Sequence, residues 1–336
     1  MTTRAEPGTS SESGQPDRAV RTRQYVQVTS GMLVAGAGHR VWWRSVGDPS
    51  ALPVVVLHGG PGSGSSPWYE RWFDPMVHRL VLFDQRNCGR STPHAGDAEV
   101  DLSSNSTPAL IGDIEQLREM LGVERWLVAG TSWGTTLGLA YAQAHPDRVL
   151  GMVLNSVGTT SRAEVEWLTR GMGRYFAEEW QRFVDVLPEE ERDGNLPAAY
   201  NRLLMSSDPS VHGPAAAAWC SWEATHVATD GRAPSDPRYD DARFRLCFAR
   251  LVTHFWMNFG FLPEGQIMDQ LPVLSKIPAV LVHGRRDLSS PLSVAEDIQG
   301  SWPGSRLIVV DDAGHGTTLE ATHQAVDLVT SVVRSL

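Results

Sequence analysis

The stretch Gly130-Thr131-Ser132-Trp133-Gly134 decides which fold the rest of the chain can adopt. It follows the apolar run 126–129 and precedes an alanine-rich segment, which places it at a junction between a strand and a helix. The pattern G-x-S-x-G at such a junction is the nucleophile-elbow signature: the serine is held on a sharp turn, and a side chain at either glycine would crowd the adjoining strand or helix. Ser132 is therefore a candidate nucleophile, and a purely structural tight turn is the alternative.

Six short apolar runs along the chain have the length of buried strands. None shows the period-two alternation of a half-exposed strand, which indicates burial on both faces of a parallel sheet. The runs are residues 54–57, 80–83, 126–129, 152–154, 279–282 and 307–310. Residues 107–121 and 133–145 have apolar positions at helical spacing. We therefore predict an α/β fold with a mostly parallel sheet covered by helices on both faces.

The segment 157–270 interrupts this alternation because it is helical in pattern and rich in tryptophan and arginine. We predict that it is an inserted helical cap, since ligands of open α/β sheets bind at the carboxyl ends of the strands. Residues 21–156 and 271–336 would then form the two parts of the core. Residues 1–20 are rich in Ser, Thr, Gly, Pro, Glu and Arg, a composition typical of a disordered tail.

Bulk composition excludes several classes of protein. A formal net charge of −10 argues against partners such as nucleic acid or an anionic membrane. No stretch approaches the ~20 consecutive apolar residues of a membrane span. The three cysteines form no C-x-x-C pair, which disfavours a disulfide framework and a structural zinc site and favours a reducing, cytoplasmic location. We expect neither a metal nor an organic cofactor.

Two further residues, Asp287 and His315, are candidates for the acid and the base that a serine nucleophile requires. Asp287 follows the apolar run 279–282, and His315 follows the run 307–310. In chains with a nucleophile elbow, the serine is followed along the sequence first by the acid and then by the base, and each of the three comes after a strand. Ser132, Asp287 and His315 obey that order. Rival acids are Asp311 and Asp312, which follow the wrong strand, and weaker candidates for the base are His78, His145 and His226.

The glycine-rich stretch His58-Gly59-Gly60-Pro61-Gly62 follows the apolar run 54–57. Such a loop supplies one backbone N–H of an oxyanion hole, because glycine lets the backbone approach the substrate oxygen closely. The second donor would be the Trp133 N–H, at the start of the helix after Ser132, where free amides and the helix dipole favour an anion. A phosphate-binding loop is the alternative, but the Lys-Ser/Thr ending of a P-loop is absent.

Six stretches, in order from about residue 24 to the C-terminus, resemble the prolyl aminopeptidase (proline iminopeptidase) family of α/β hydrolases. They are His58-Gly59-Gly60-Pro61-Gly62, Asp84-Gln85-Arg86-Asn87-Cys88-Gly89-Arg90-Ser91, Gly130-Thr131-Ser132-Trp133-Gly134, Trp222-Glu223, His283-Gly284-Arg285-Arg286-Asp287 and Gly314-His315. The resemblance implies an α/β-hydrolase fold and hydrolysis that releases an N-terminal residue. The residue roles that it implies are nucleophile Ser132, base His315, orienting acid Asp287, and oxyanion donors Gly60 and Trp133.

Glu223 matches one of the family's two acidic anchors for the substrate's α-amino group, which a carboxylate binds by charge-assisted hydrogen bonds. An exposed helical glutamate is the alternative. The second anchor lies in an Arg-Ile-Glu-Asn-His stretch, which here reads Arg250-Leu251-Val252-Thr253-His254, so Val252 replaces the acid. Asn155 and Gly158 replace an arginine and an aromatic residue of the family. We therefore expect a wider, less polar pocket with weaker selectivity for proline.

The predicted activity is that of a serine-dependent aminopeptidase. It would release an N-terminal residue, proline or a small or apolar aminoacyl group, from a small peptide or aminoacyl amide through an acyl-enzyme. Two alternatives stay open: an esterase or amidase of the same fold that needs no free amino group, and an aminopeptidase acting on a natural-product amide. A non-catalytic binding protein is disfavoured by the complete set of triad residues.

Overall fold

The computed structural model describes residues 27–97, 99–228 and 236–335. The tail predicted for residues 1–20 lies outside the described residues. An eight-stranded sheet forms the centre of the molecule. Its strands are β1 (Val28–Val34), β2 (Arg40–Val46), β3 (Leu52–Leu57), β4 (His78–Phe83), β5 (Trp126–Thr131), β6 (Val149–Asn155), β7 (Ala279–Gly284) and β8 (Ser305–Val310).

The strand order is β1-β2-β4-β3-β5-β6-β7-β8, and all pairs from β4 to β8 are parallel. The six apolar runs of the sequence correspond to strands β3 to β8, which confirms the predicted α/β fold with a mostly parallel sheet. Strands β1 and β2 are antiparallel additions at one edge that the sequence analysis missed. Neither has a continuous apolar run, because most of their side chains are not fully buried.

Helices cover both faces of the sheet. Ten α-helices occur in the described ranges: α1 (Thr107–Met120), α2 (Trp133–Ala144), α3 (Arg162–Thr169), α4 (Ala177–Asp185), α5 (Leu196–Leu204), α6 (Pro209–Val227), α7 (Ala242–Met257), α8 (Gln266–Asp269), α9 (Leu292–Ser301) and α10 (Leu319–Ser335). Short 3₁₀ turns connect several of them. Helices α3 to α8 all lie between β6 and β7, and we call residues 162–274 the helical insertion.

Alternate residues of one strand belong to the two opposite sides of the core. In β3, Val55 and Leu57 pack in the cluster that includes side chains of α1, α2 and α9. Val54 and Val56 of the same strand pack in the cluster formed with α10. All four side chains are at most 1% exposed. The continuous apolar pattern of the central strands thus follows from burial on both faces.

Aromatic residues of the helical insertion pack against one another within the main core cluster. The ring of Phe183 stacks on Tyr200 at 4.6 Å and on Trp222 at 5.5 Å, and it meets Trp219 edge-on. Trp219 and Trp222 are buried and both belong to α6. Aromatic pairs of this kind stabilise a helix packing by about 0.5–1.5 kcal/mol each beyond the area that they bury. Packing of Trp219 and Trp222 on Phe183 therefore holds α6, the helix that carries Glu223, in place.

None of the helices in the described ranges is both long and apolar enough to cross a membrane.

Candidate active site

The turn between β5 and α2 holds Ser132 in a strained conformation. Its φ and ψ are 53° and −125°, a region that residues other than glycine rarely occupy. A Cβ atom at Gly134 would lie 2.1 Å from the Leu57 carbonyl oxygen, and one at Gly130 would lie 2.4 Å from the Gly134 oxygen. Both glycines are therefore required by close backbone contacts. The G-x-S-x-G pattern has the steric origin that a nucleophile elbow demands.

The structure brings Ser132, His315 and Asp287 into one hydrogen-bonded array. His315 Nε2 lies 3.0 Å from Ser132 Oγ. On the other side of the ring, His315 Nδ1 lies 2.9 Å and 3.2 Å from the two carboxylate oxygens of Asp287. The three residues follow β5, β7 and β8, whose carboxyl ends meet at the same edge of the sheet. This is the arrangement of a nucleophile, a base and an orienting acid.

Charges within the array shift the titration of both partners. Burial alone would raise the pKa of Asp287, but the charge and hydrogen bond of His315 outweigh it, and the pKa lies below its usual value. Burial alone would lower the pKa of His315, but the charge and hydrogen bond of Asp287 outweigh it, with a smaller contribution from Glu223, and raise it. The protonated form of His315 is therefore stabilised by Asp287.

A second histidine, His283, contacts the loop 285–290, which carries Asp287 and which we call the acid loop. Its Nδ1 accepts a hydrogen bond from the Val157 amide at 3.1 Å, and its Nε2 lies 2.7 Å from the Ser290 carbonyl oxygen, to which it donates. The ring is thus held in one neutral tautomer, and burial keeps its pKa below the usual value. The Ser290 amide donates to Asp287 Oδ1 at 2.9 Å. The sequence analysis assigned no role to His283 or Ser290.

The glycine-rich loop after β3 lies beside the elbow. Gly60 has a φ of +110°, and a Cβ there would lie 2.6 Å from the Gly62 nitrogen. Gly60 and Trp133 line the same cavity as Ser132 and His315. The Trp133 amide is the first N–H of α2, where no preceding turn supplies a carbonyl acceptor. Gly60 and Trp133 thus both border the cavity beside Ser132, and their role as oxyanion donors stays a prediction.

Gln85 connects the glycine-rich loop to the elbow. Its Oε1 accepts a hydrogen bond from Trp133 Nε1 at 2.9 Å, and its Nε2 donates to the His58 carbonyl oxygen at 3.0 Å. Its backbone amide donates to His58 Nε2 at 3.0 Å. In the sequence Gln85 stands out only as part of the Asp84–Ser91 motif, because no local pattern indicates which distant residues its side chain contacts.

Two cavities meet at the array. Gly60, Ser132, Glu223 and His315 line both of them. The smaller has a volume of about 50 Å³, and its other walls include Glu164, Leu168, His226 and Trp256. The larger has a volume of about 290 Å³, and its other walls include Tyr69, Arg238, Tyr239 and Phe248. A substrate bond at Ser132 would therefore have space on two sides. Within the described ranges, no cluster of His, Cys, Asp and Glu side chains is arranged to hold a metal ion.

Glu223 projects from α6 towards the array. Its side chain is 14% exposed, so the alternative of an exposed helical glutamate is wrong. A second carboxylate, Glu164, also lines the smaller cavity and was missed by the sequence analysis. One of its oxygens accepts hydrogen bonds from Thr159 and Ser161 and caps α3. The other oxygen is buried without a partner.

The three positions that depart from the family pattern have different surroundings. Val252 is buried in the main core cluster and lines neither cavity. Asn155 also lines neither; its Oδ1 accepts hydrogen bonds from Thr317 and Thr322 at 3.2 Å and 3.3 Å. Gly158 alone of the three borders the smaller cavity. Glu164, Glu223 and His226 also line that cavity, and the expectation of a wider, less polar pocket than in the family stays a prediction.

Fold and array together define an α/β hydrolase with a serine nucleophile site. The sequence profile of the alpha/beta hydrolase fold family matches residues 53–322. A probable proline iminopeptidase of Streptomyces coelicolor is 50% identical over 295 residues, covering 86% of this chain and 90% of the relative. A proline iminopeptidase of Xylella fastidiosa is 40% identical over 296 residues, covering 87% and 93%. The chain belongs to the proline iminopeptidase family and is a serine hydrolase.

A solved structure shares the fold at lower sequence identity. The proline iminopeptidase of Mycobacterium smegmatis superposes with a TM-score of 0.59 at 22% identity, covering 91% of this chain and 98% of that one. The mostly parallel sheet and its covering helices are therefore the fold of an α/β hydrolase.

Proposed function

We propose that this chain is a serine aminopeptidase that releases an N-terminal residue, proline or a small apolar residue, from a small peptide or aminoacyl amide. The observation that carries the proposal is the hydrogen-bonded array of Ser132, His315 and Asp287 beside a cavity that also contains the carboxylate of Glu223. The names of the relatives, proline iminopeptidases of bacteria and plants, support the same activity.

In the first half of the reaction, His315 accepts the proton of Ser132 as the hydroxyl oxygen attacks the carbonyl carbon of the first residue. The distance of 3.0 Å between His315 Nε2 and Ser132 Oγ suits this transfer. Asp287 keeps Nδ1 of His315 protonated, so that Nε2 is the accepting nitrogen. His315 then protonates the leaving amine, and the carbonyl carbon remains bound to Ser132 as an ester.

In the second half, water loses a proton to His315 and attacks the ester, which releases the free amino acid and restores Ser132. Both halves pass through a tetrahedral oxyanion. The amides of Gly60 and Trp133 would donate hydrogen bonds to that oxygen, and loss of one such donor typically costs about 10²–10³ in kcat. Ser132 and His315 thus carry out the proton transfers, Asp287 orients His315, and the two amides would stabilise the oxyanion.

The two cavities divide the substrate between them. We assign the first residue to the smaller cavity of about 50 Å³, whose carboxylate Glu223 would bind its α-amino group. The leaving amine would occupy the larger cavity of about 290 Å³, where Tyr69, Tyr239 and Phe248 offer apolar and aromatic surface. This division favours a small first residue joined to a bulkier amine. The cytoplasmic location stays a prediction that rests on the cysteine pattern.

The experiment that tests the function is steady-state kinetics on prolyl, alanyl, glycyl and leucyl arylamides and on a simple acyl ester, with Ser132→Ala as the control. We expect turnover of prolyl or alanyl arylamide that Ser132→Ala abolishes. Turnover of the ester alone would contradict the aminopeptidase function. Turnover of leucyl arylamide ahead of the smaller residues would contradict the assignment of the first residue to the smaller cavity.

A further inference from the structure

His226 places a buried acceptor atom beside Glu223. The two residues are three positions apart on α6, so their side chains project from the same side of the helix. His226 Nε2 lies 3.4 Å from Glu223 Oε2, yet Nε2 has no hydrogen-bond partner. The His226 side chain is 1% exposed, and both residues line the smaller cavity with Ser132. An unpaired polar atom is therefore buried in the wall of the active site, where it costs stability unless a ligand pairs with it.

Ser289 contacts both the ring and the carbonyl group of His226. The Ser289 hydroxyl donates to the His226 carbonyl oxygen at 3.0 Å, so its single proton is not directed at the ring. Ser289 Oγ also lies 2.8 Å from His226 Nδ1, and we infer that this oxygen, with its own proton on the carbonyl oxygen, accepts a hydrogen bond from Nδ1–H. In the neutral ring, Nε2 is then an unprotonated acceptor.

We propose that His226 Nε2 and Glu223 Oε2 together bind the α-amino group of the substrate. The proposal rests on the aminopeptidase function given above. Two acceptors 3.4 Å apart can each take one N–H from the same nitrogen at ordinary distances of ~2.8–3.0 Å. A primary α-ammonium has three such donors and N-terminal proline has two. An acyl group without an amino group gains nothing from this pair, so the pair selects substrates with a free N-terminus.

His226 Nε2 supplies the second acceptor for the α-amino group, which Val252 cannot provide. The family resemblance implies a second carboxylate at that position, but Val252 is apolar and lines neither cavity. A carboxylate and a neutral imidazole offer the same number of acceptor groups as two carboxylates, with one negative charge fewer. Within the pair, only Glu223 brings an opposite charge to the cationic amino group, and Glu164 is the other carboxylate that lines the same cavity.

The test compares His226→Asn with His226→Gln in the full chain. Asparagine retains a donor near the Nδ1 position that faces Ser289 but has no atom at Nε2, whereas the longer glutamine can place its amide oxygen there. Each variant is assayed with alanyl and prolyl p-nitroanilide, which carry the amino group, and with p-nitrophenyl propionate, which lacks it. We expect His226→Asn to raise the anilide KM about 10- to 100-fold. The ester kcat/KM should fall far less than the anilide kcat/KM, and His226→Gln should recover most of the anilide KM.

Two results in the variants would overturn the proposal. An equal loss on ester and anilide would mean that His226 acts only by holding Ser289 and the acid loop. A lower anilide KM in His226→Asn would mean that His226 is a cation that repels the substrate. His212→Asn is the matched control, because His212 is on the same helix, bonds to Ser206 at 2.9 Å and lines neither cavity. If the wild-type chain hydrolyses the ester but no anilide, the proposed function fails, and this inference fails with it whatever the variants do.

Discussion

The side chain of Gln85 accepts a hydrogen bond from the indole of Trp133 at 2.9 Å while donating to the glycine-rich loop at the His58 carbonyl oxygen. One amide thus sets the separation between the two segments that would supply the oxyanion donors. Because those donors act only when correctly placed, a shift of either segment should lower the rate of both acylation and hydrolysis.

We therefore expect Gln85→Leu to lower kcat about 10- to 100-fold on arylamides and ester alike, with little change in KM. Steady-state kinetics measure this directly. Gln143→Leu is the control, because Gln143 donates to the Ile267 carbonyl oxygen at 2.8 Å, away from both cavities. A Gln85→Leu enzyme with wild-type kcat and a raised KM would show that Gln85 serves binding rather than oxyanion stabilisation.

The raised pKa of His315 predicts the pH dependence of the reaction. His315 must be neutral to accept the Ser132 proton, so kcat/KM should rise with pH through a pKa above the usual value of about 6.5. In Asp287→Asn the charge that raises this pKa is lost and burial lowers it, so the acid limb should move to lower pH. The rate should also fall on the order of 10⁴-fold, because the tautomer is no longer held.

An uncharged ester is the correct substrate for this pH profile, since its own protonation state does not change. Glu223→Gln should shift the acid limb in the same direction by a smaller amount, because Glu223 contributes less to the raised pKa of His315 than Asp287 does. An acid limb below the usual histidine pKa in the wild-type enzyme would contradict the charge arrangement around His315.

Glu223→Gln separates an aminopeptidase from an esterase of the same fold. Loss of a charged hydrogen bond to the α-amino group should cost about 1.5–3 kcal/mol, which raises the arylamide KM about 10- to 150-fold. The ester without an amino group should be hydrolysed nearly as before. Glu166→Gln is the matched control, because Glu166 lies on α3 with a side chain that is 66% exposed and lines neither cavity. Equal effects on both substrates would contradict amino-group binding by Glu223.

The cysteines should be inert in the folded enzyme. Cys88, Cys220 and Cys247 are free and buried, and burial raises the pKa of each thiol, that of Cys247 to about 12. Only the thiolate reacts with alkylating reagents. We expect iodoacetamide at neutral pH to leave activity and mass unchanged, and to add three carbamidomethyl groups after unfolding in urea. Rapid alkylation of the native enzyme, followed by mass spectrometry, would contradict this burial.

Local pattern is enough to predict the strands from β3 to β8 and the positions of Ser132, Asp287 and His315. Each of those residues comes shortly after a strand with a continuous apolar run, and parallel strands bring their carboxyl ends to one edge. Strands β1 and β2 escape prediction because most of their side chains are not fully buried, so that neither strand has a continuous apolar run.

Contacts between segments that are distant along the chain could not be predicted from the sequence pattern. The sequence analysis considered His226 only as a weak candidate for the base, whereas its ring bonds to Ser289, 63 residues further along the chain. Gln85 meets Trp133 across 48 residues in the same way. Such pairs depend on how the helical insertion and the loops pack on the sheet, which periodicity and spacing leave undetermined.

The helical insertion bonds directly to the loop that carries the acid. Trp167 Nε1 donates to the Leu288 carbonyl oxygen at 2.7 Å, and His226 bonds to Ser289. In evolutionary terms, substitutions on α6 can change the residues that face the substrate while Ser132, Asp287 and His315 stay the same. New substrate preferences can therefore arise by drift in one segment. The contacts of Trp167 and His226 with this loop restrict such substitutions. A relative that lost them would gain a new substrate preference but would also have Asp287 out of position.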